Sequence, residues 1–172
     1  LLQDVDEMQQ LLDAFLDFSR GVATSDPEET DPLVLVSSIV ESWRREGKDV
    51  MLGELCSDGT VMLRPGAIRR AINNLVSNAV RYGTRARVSV TLTEKSLRIR
   101  VEDDGPGIPH HQTREAIRPF IRLDPARNQD LGSGVGLGLA IVADVARAHG
   151  GALRLGTSQD LGGLQADIVI GR

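Results

Sequence analysis

One cysteine, Cys56, in 172 residues excludes a disulfide framework and any multi-cysteine zinc site. Aromatic residues make up only 3% of the chain, so an aromatic beside a polar motif is a scarce resource worth following. No apolar run approaches the ~18 residues needed to cross a bilayer, which leaves this segment without a spanning helix. The net charge of −4, with no long basic block, argues against nucleic acid as the main ligand. There is no internal repeat, no signal peptide and no initiator Met ahead of Leu1-Leu2-Gln3, and the expectation is a piece of a longer protein. What remains is 41% hydrophobic and 26% charged, the balance of a folded globular chain. At this length folding should bury roughly 70% of the accessible surface, enough for one domain with a short appendage.

That appendage is legible at the start. Leu1, Val5, Met8, Leu12 and Phe15 step by four, three, four and three, a heptad seam widened by Leu11 and Phe18 and capped by Gly21. A single such helix cannot bury its seam and wants a partner; packing on its own domain is the plainer alternative. The acidic, Pro-broken stretch Thr24 to Thr30 reads as a hinge. The expected organisation is a helix over 1–23, a linker over 24–30 and a domain over 31–172.

The domain reads as α/β. Asp31-Pro32 is an N-cap followed by Pro at the first helical position, with Leu35, Val36, Ile39, Val40 and Trp43 as the buried face. Val50–Leu55 and Thr60–Leu63 are strand candidates around a Ser57-Asp58-Gly59 turn. Pro65 opens a longer helix with an apolar face of Ile68, Ala71, Ile72, Leu75, Val76 and Ala79. Two alternating strands (Val88, Val90, Leu92 and Leu97, Ile99, Val101) flank a turn at Glu94-Lys95. A helix from about Val135 to His149 and strands near 152–156 and 164–170 complete the chain. Hairpin-connected strands grouped with helices predict a two-layer α/β sandwich with a mixed, largely antiparallel sheet.

Three segments combine polar side chains with unusual backbone demands. In Asn73-Asn74-Leu75-Val76-Ser77-Asn78-Ala79-Val80-Arg81-Tyr82-Gly83, residues 74, 78, 81 and 82 share one patch of helix surface. Asparagine is a mediocre helix former, yet its carbonyl oxygen suits magnesium, and Arg81 could face phosphates. Two asparagines on a solvated face are the alternative. Val101-Glu102-Asp103-Asp104-Gly105-Pro106-Gly107-Ile108-Pro109 follows a strand. A carboxylate there can accept from an exocyclic amino group while the glycines let a flat ring approach the main chain; an ordinary acidic turn is the alternative. Gly132-Ser133-Gly134-Val135-Gly136-Leu137-Gly138-Leu139-Ala140 frees backbone N–H groups ahead of a helix, a phosphate cradle. It is neither a dinucleotide fingerprint, since Leu139 stands where the third glycine should, nor a Walker A loop.

In this order the three blocks resemble the N, G1 and G2 boxes of the ATP-binding domain of bacterial sensor histidine kinases, the fold shared with gyrase and chaperone ATPases. Pro119-Phe120-Ile121-Arg122 is similar to that family's F box, and Gly162-Gly163-Leu164 to its final glycine pair. Upstream, Asp4 to Arg20 resembles the end of the second helix of the dimerisation hairpin. Ala79 to Gly83, Val101 to Ile108 and Leu155 to Ser158 are especially similar to EnvZ-type osmosensor kinases.

The resemblance implies roles residue by residue. Asn78 would coordinate magnesium bridging the ATP phosphates, with Asn74 a nearby polar contact and Arg81 a cation near phosphate. Tyr82 would stack on the adenine and Asp103 accept from its amino group, with Gly105, Gly107 and Ile108 around them. Arg122 would reach the γ-phosphate and Phe120 belongs to the same box. The stretch 127–134 would be the ATP lid, with Gly134, Val135, Gly136, Leu137, Gly138 and Leu139 forming the phosphate loop. Ile117 stands where the F box often has Phe, and Val135 replaces a common Thr.

Related enzymes that hydrolyse ATP carry a Glu four residues before the magnesium Asn, as general base; here that position is Asn74, which cannot take a proton. The resemblance therefore implies phosphoryl transfer to a protein histidine over hydrolysis. His110, His111 and His149 lack the acidic residue and Pro that follow an acceptor histidine, and read as surface or capping residues. The implied partners are the parent's own dimerisation domain, as a homodimer, and an OmpR-like response regulator; the implied location is the cytoplasmic side of a bacterial inner-membrane protein. A nucleotide-dependent docking or anti-sigma-like module without phosphotransfer is the competing reading.

Overall fold

The computed structural model describes residues 26–118 and 138–172, together with Val5, Asp6, Met8, Gln9, Leu12, Asp13, Phe15 and Leu16 near the start. These last residues are helical, and the seam positions Val5, Met8, Leu12 and Phe15 are 50–69% exposed, as expected of a stripe still wanting a partner. The Gly21 cap lies outside the described residues. No helix among them is long and apolar enough to cross a membrane.

Strand β1 (Glu28–Thr30) pairs antiparallel with β3 (Val61–Leu63), placing Glu28 opposite Leu63 and Thr30 opposite Val61. Residues 28–30, expected as linker, are thus tied to the α/β unit. Helix α1 (Pro32–Arg45) begins as its sequence dictates: Asp31 Oδ1 accepts from Leu33 N at 2.9 Å, and Pro32 occupies the first turn, where its missing N–H costs nothing. Leu35, Val36, Ile39 and Val40 are buried, and Trp43 packs half-buried at the core edge. Helix α2 (Pro65–Tyr82) buries every apolar position of the predicted stripe, Ile68, Ala71, Ile72, Leu75, Val76 and Ala79.

β1 and β3 form a two-stranded sheet of their own. The five-stranded main sheet contains β2 (Val50–Cys56), β4 (Ala86–Leu92), β5 (Ser96–Asp103), β6 (Ala152–Thr157) and β7 (Leu164–Gly171), in the order β2-β4-β5-β7-β6. All neighbours are antiparallel except β2 and β4. This corrects one expectation. β2 and β3 are not a hairpin: β2 runs parallel to β4, and a parallel pair needs a crossover, here supplied by α2. The Ser57-Asp58-Gly59 turn redirects the chain instead, and Arg172 pins it by donating to Asp58 Oδ1 at 2.9 Å and Thr60 O at 3.1 Å.

Helices α1, α2 and α4 (Gly138–Ala148) cover one face of this sheet; the short α3 (Thr113–Ala116) follows a 3₁₀ turn at His110–Gln112. The inner face of the strands is aliphatic: Val88, Val90, Leu92, Leu97, Ile99, Val101, Ala166, Ile168 and Ile170 are all at most 3% exposed. Fully burying each Leu, Ile or Val contributes roughly 1.5–3 kcal/mol, so this layer holds the helices in place. The opposite face is polar, with Arg87, Ser89, Thr91, Arg98, Arg100, Glu102 and Gln165 lining a shallow depression. The two-layer sandwich with a mixed, largely antiparallel sheet is as expected.

Candidate functional site

Helix α2 carries the polar residues of the first motif along its length, but they do not share one environment. Asn73 turns to the neighbouring helix, where its Oδ1 accepts from Trp43 Nε1 at 2.9 Å. The scarce tryptophan thus has its one polar atom satisfied by this block. Asn74 is the reverse case: its amide nitrogen Nδ2 is buried and has no hydrogen-bond partner among the described residues. Folded proteins keep few such groups, because an unmade bond costs about 1–3 kcal/mol. Asn78, one turn further on, faces the first residue of α4; a Cβ on Gly138 would stand 3.4 Å from Asn78 Nδ2 and 3.6 Å from its Oδ1. α2 and α4 pack against each other here, so the carboxamide meets the beginning of a helix. Arg81 and Tyr82 lie half-buried in the last turn of α2. From residue 74 to residue 82 the helix rises ~12 Å.

At the Tyr82 end the chain is knotted tightly. Asp103, last residue of β5, is buried, and its Oδ1 accepts from Gly105 N at 2.9 Å and Leu164 N at 3.0 Å, while its carbonyl accepts from Gly163 N at 3.0 Å. Two glycines are dictated by these approaches. A Cβ on Gly105 would sit 2.8 Å from the Tyr82 carbonyl oxygen, and one on Gly163 would fall 2.5 Å from the Asp103 carbonyl oxygen and 2.6 Å from Gly105 N. Gly107 lies next to the same turn, 3.5 Å separating its would-be Cβ from the Gly163 carbonyl carbon, and half-buried Ile108 follows it. Tyr82, Asp103, Gly105, Gly107 and Gly163 therefore form one cluster, assembled from α2, β5, the loop after it and the β6–β7 turn.

Asp104 fastens that cluster to the end of α2. Its carboxylate accepts from Thr84 N at 2.7 Å, Arg85 N at 3.1 Å and the Thr84 hydroxyl at 2.5 Å. The Thr84 hydroxyl, reinforced by the N–H groups of Thr84 and Arg85, holds the Asp104 carboxyl down at about 2 against the opposing effect of burial. Sequence reasoning named Gly163 as part of the final glycine pair, but gave no role to Asp104 or Ser158, which also belong to this region. The signal available was the Asp103-Asp104 doublet itself: strand alternation turns successive side chains to different surroundings, so the two cannot share a task.

Leu139 packs against the core from α4, and Gly138 stands beside Asn78. Phe120, Arg122, Gly134, Val135, Gly136 and Leu137, with the expected lid, lie outside the described residues. His110 and His111 are exposed in the 3₁₀ turn. His149 is a structural tie: its Nε2 accepts from Arg64 N at 3.1 Å, which leaves Nδ1 to donate to Val145 O at 2.7 Å.

Comparison with known proteins places this geometry. The profile described as "Histidine kinase-, DNA gyrase B-, and HSP90-like ATPase" matches residues 64–170, from the start of α2 to the end of β7. The chain is 31% identical over 171 residues to the sensor histidine kinase GtrS of Pseudomonas aeruginosa, covering 99% of this chain and 34% of that protein. It is 33% identical over 171 residues to the sensor protein RstB of Escherichia coli, covering 95% of this chain and 39% of that protein. The chain thus spans about a third of the length of these curated relatives. Among solved structures, the histidine kinase domain of the E. coli osmosensor EnvZ superposes with a TM-score of 0.62 at 34% identity, over 87% of this chain and 91% of that one. The chain therefore belongs to the histidine kinase-, DNA gyrase B- and HSP90-like ATPase family, as a catalytic domain of the sensor histidine kinase kind with EnvZ-type features.

Proposed function

We propose that this domain binds Mg-ATP along α2 and transfers its γ-phosphate to a histidine on a dimerisation hairpin, for relay to a response regulator of the OmpR-like type. The observation that carries the reading is the pairing of two ends. Asn78 meets the start of α4, and one helical turn (~6 Å) further along α2 the Tyr82–Asp103–Gly105–Gly163 cluster closes the other end. A polar contact for phosphates and a tight backbone pocket for a flat ring thus adjoin on one helix. In this reading Tyr82 stacks on the adenine and Asp103, oriented by its two backbone donors, accepts from the exocyclic amino group. Arg81 lies toward phosphate, and the resemblance assigns Phe120, Arg122 and the 134–139 stretch to triphosphate binding.

Magnesium fits the donors present. Among the described residues no group of three or more His, Cys, Asp or Glu could hold a metal ion. Asn78 would supply one hard oxygen and the nucleotide phosphates the rest, the usual arrangement for an ion that keeps few protein ligands. When bound, the ion neutralises charge on the phosphates. The chain's own residues orient the base, exclude water from it and set the triphosphate against the α4 end. An amide at position 74 cannot accept a proton from water, so protein-directed transfer is favoured over hydrolysis. The parent protein, on this reading, is a membrane-anchored homodimer with this domain on the cytoplasmic side.

The test mixes the chain with γ-labelled Mg-ATP, with and without a separately prepared dimerisation hairpin carrying its histidine. Acid-labile, alkali-stable label is expected on the hairpin alone and lost with Asn78→Ala. ATP binding without transfer to the hairpin would replace this reading with a nucleotide-gated docking module.

A further inference from the structure

Glu102 and Asp103 are neighbours in β5 whose carboxylates serve opposite faces of the sheet. Asp103 lies in the nucleotide-facing cluster. Glu102, only 5% exposed, points to the polar face, where Arg87 Nη2 donates to its Oε1 at 3.0 Å and its Oε2 at 3.1 Å. Arg87 is the residue directly across from it in β4. The Ser158 hydroxyl, buried to 1% exposure, donates to Glu102 Oε2 at 2.6 Å. The same Arg87 nitrogen reaches Asp160 Oδ2 at 2.8 Å. Ser158 and Asp160 both belong to the turn between β6 and β7, and it is this turn that carries Gly163 and Leu164 to Asp103. Inside the turn, Ser158 N donates to Gly163 O at 2.8 Å, Gly162 N to Ser158 O at 2.8 Å, and Leu161 N to Ser158 Oγ at 3.1 Å. Ser158 is therefore bonded at both ends of the turn and to β5, and the turn is held from the polar face at two points.

We propose that Arg87, Glu102, Ser158 and Asp160 form a clamp on the back of the sheet that positions Asp103 to read the base. None of the four reaches the nucleotide side. They act through the turn, whose Leu164 N–H fixes one Asp103 oxygen and whose Gly163 N–H fixes its carbonyl. Releasing Ser158 frees the turn to shift, and a hydrogen bond to a ligand amino group weakens steeply once its angle and distance leave the favourable range. Stacking and phosphate contacts, which lie elsewhere, stay intact. The clamp is thus a device for base selectivity rather than for general affinity.

The inference rests on the ATP reading above, and the experiment separates the two. Equilibrium binding of Mg-ATP and of purine riboside triphosphate, which lacks the exocyclic amino group, is measured on the full chain, unaltered and as Ser158→Ala and Asp160→Ala. Ser158→Ala should weaken ATP binding by ~5–10-fold, the worth of one hydrogen bond, and leave the purine riboside triphosphate within about twofold. Asp160→Ala, at a position whose side chain is 70% exposed, should give the same pattern at about two- to threefold and decides the matter if Ser158→Ala does not fold. Equal loss of both triphosphates, or no loss of either, overturns the clamp while leaving the ATP reading standing. An unaltered chain that binds neither triphosphate overturns both.

Discussion

Asp104 accepts three hydrogen bonds from Thr84 and Arg85, and its carboxyl is held down at about 2 chiefly by the Thr84 hydroxyl. A carboxylate depressed in the folded state adds stability that is fully present above its ordinary value near 3.8 and is lost as pH falls through about 2. Asp104→Asn should therefore cost about 1–2 kcal/mol in urea unfolding at pH 7. The gap to the unaltered chain should hold down to pH ~4 and close toward pH ~2. A gap of the same size at both ends would remove the ionised carboxylate from the account. The doublet also marks how far single residues are legible. Asp103 and Gly105 stand out in sequence because acid and glycine together imply backbone approach. Asp104 and Ser158 do not, because their partners are 20 and 56 positions away in the chain and their residue types are common in turns.

The elements were legible wherever a stripe of apolar residues had one face to bury, as in α1, α2, β4 and β5. They were not legible where pairing depends on distant chain. β2 and β3 are short, and a Ser-Asp-Gly turn between them reads as a hairpin; nothing local reveals that β2 finds β4 across α2, or that β3 takes the acidic residues 28–30 as its neighbour. The tie between α2 and α4 is of the same kind. Arg64, at the N-cap of α2, has no side-chain cap of its own, and the His149 imidazole instead accepts its N–H from the far end of α4. His149→Ala removes the imidazole acceptor of that N–H, while Val145 O keeps the backbone N–H of residue 149 at 3.2 Å, and should cost roughly 1–3 kcal/mol. Gln is long enough to supply an acceptor and should recover part of the loss in thermal unfolding. A silent alanine variant would mean that water serves the Arg64 N–H equally well.

For the molecule as a whole, the sheet has one face closed by helices, one face studded with paired charges, and an N-terminal helix whose seam is exposed. That division puts the residues proposed to meet the nucleotide on the helical side and the proposed clamp on the other. It also bears on where the catalytic unit begins. The acidic, Pro-broken sequence puts a hinge over 24–30, but residues 28–30 pair with β3, whose Val61 and Leu63 are buried in the core. We propose that the independently stable unit starts near Asp26 rather than Asp31. A chain of residues 26–172 should unfold within ~1 °C of the full chain, because the helix it removes presents an exposed seam. A chain of residues 31–172 loses β1 and exposes the edge of β3, a cost of about 1–2 kcal/mol and ~3–5 °C at this size. Equal melting of the two truncations would return β1 to the linker and put the boundary at Asp31. A large loss already at residue 26 would instead mean that the N-terminal helix contributes to the stability of the α/β unit.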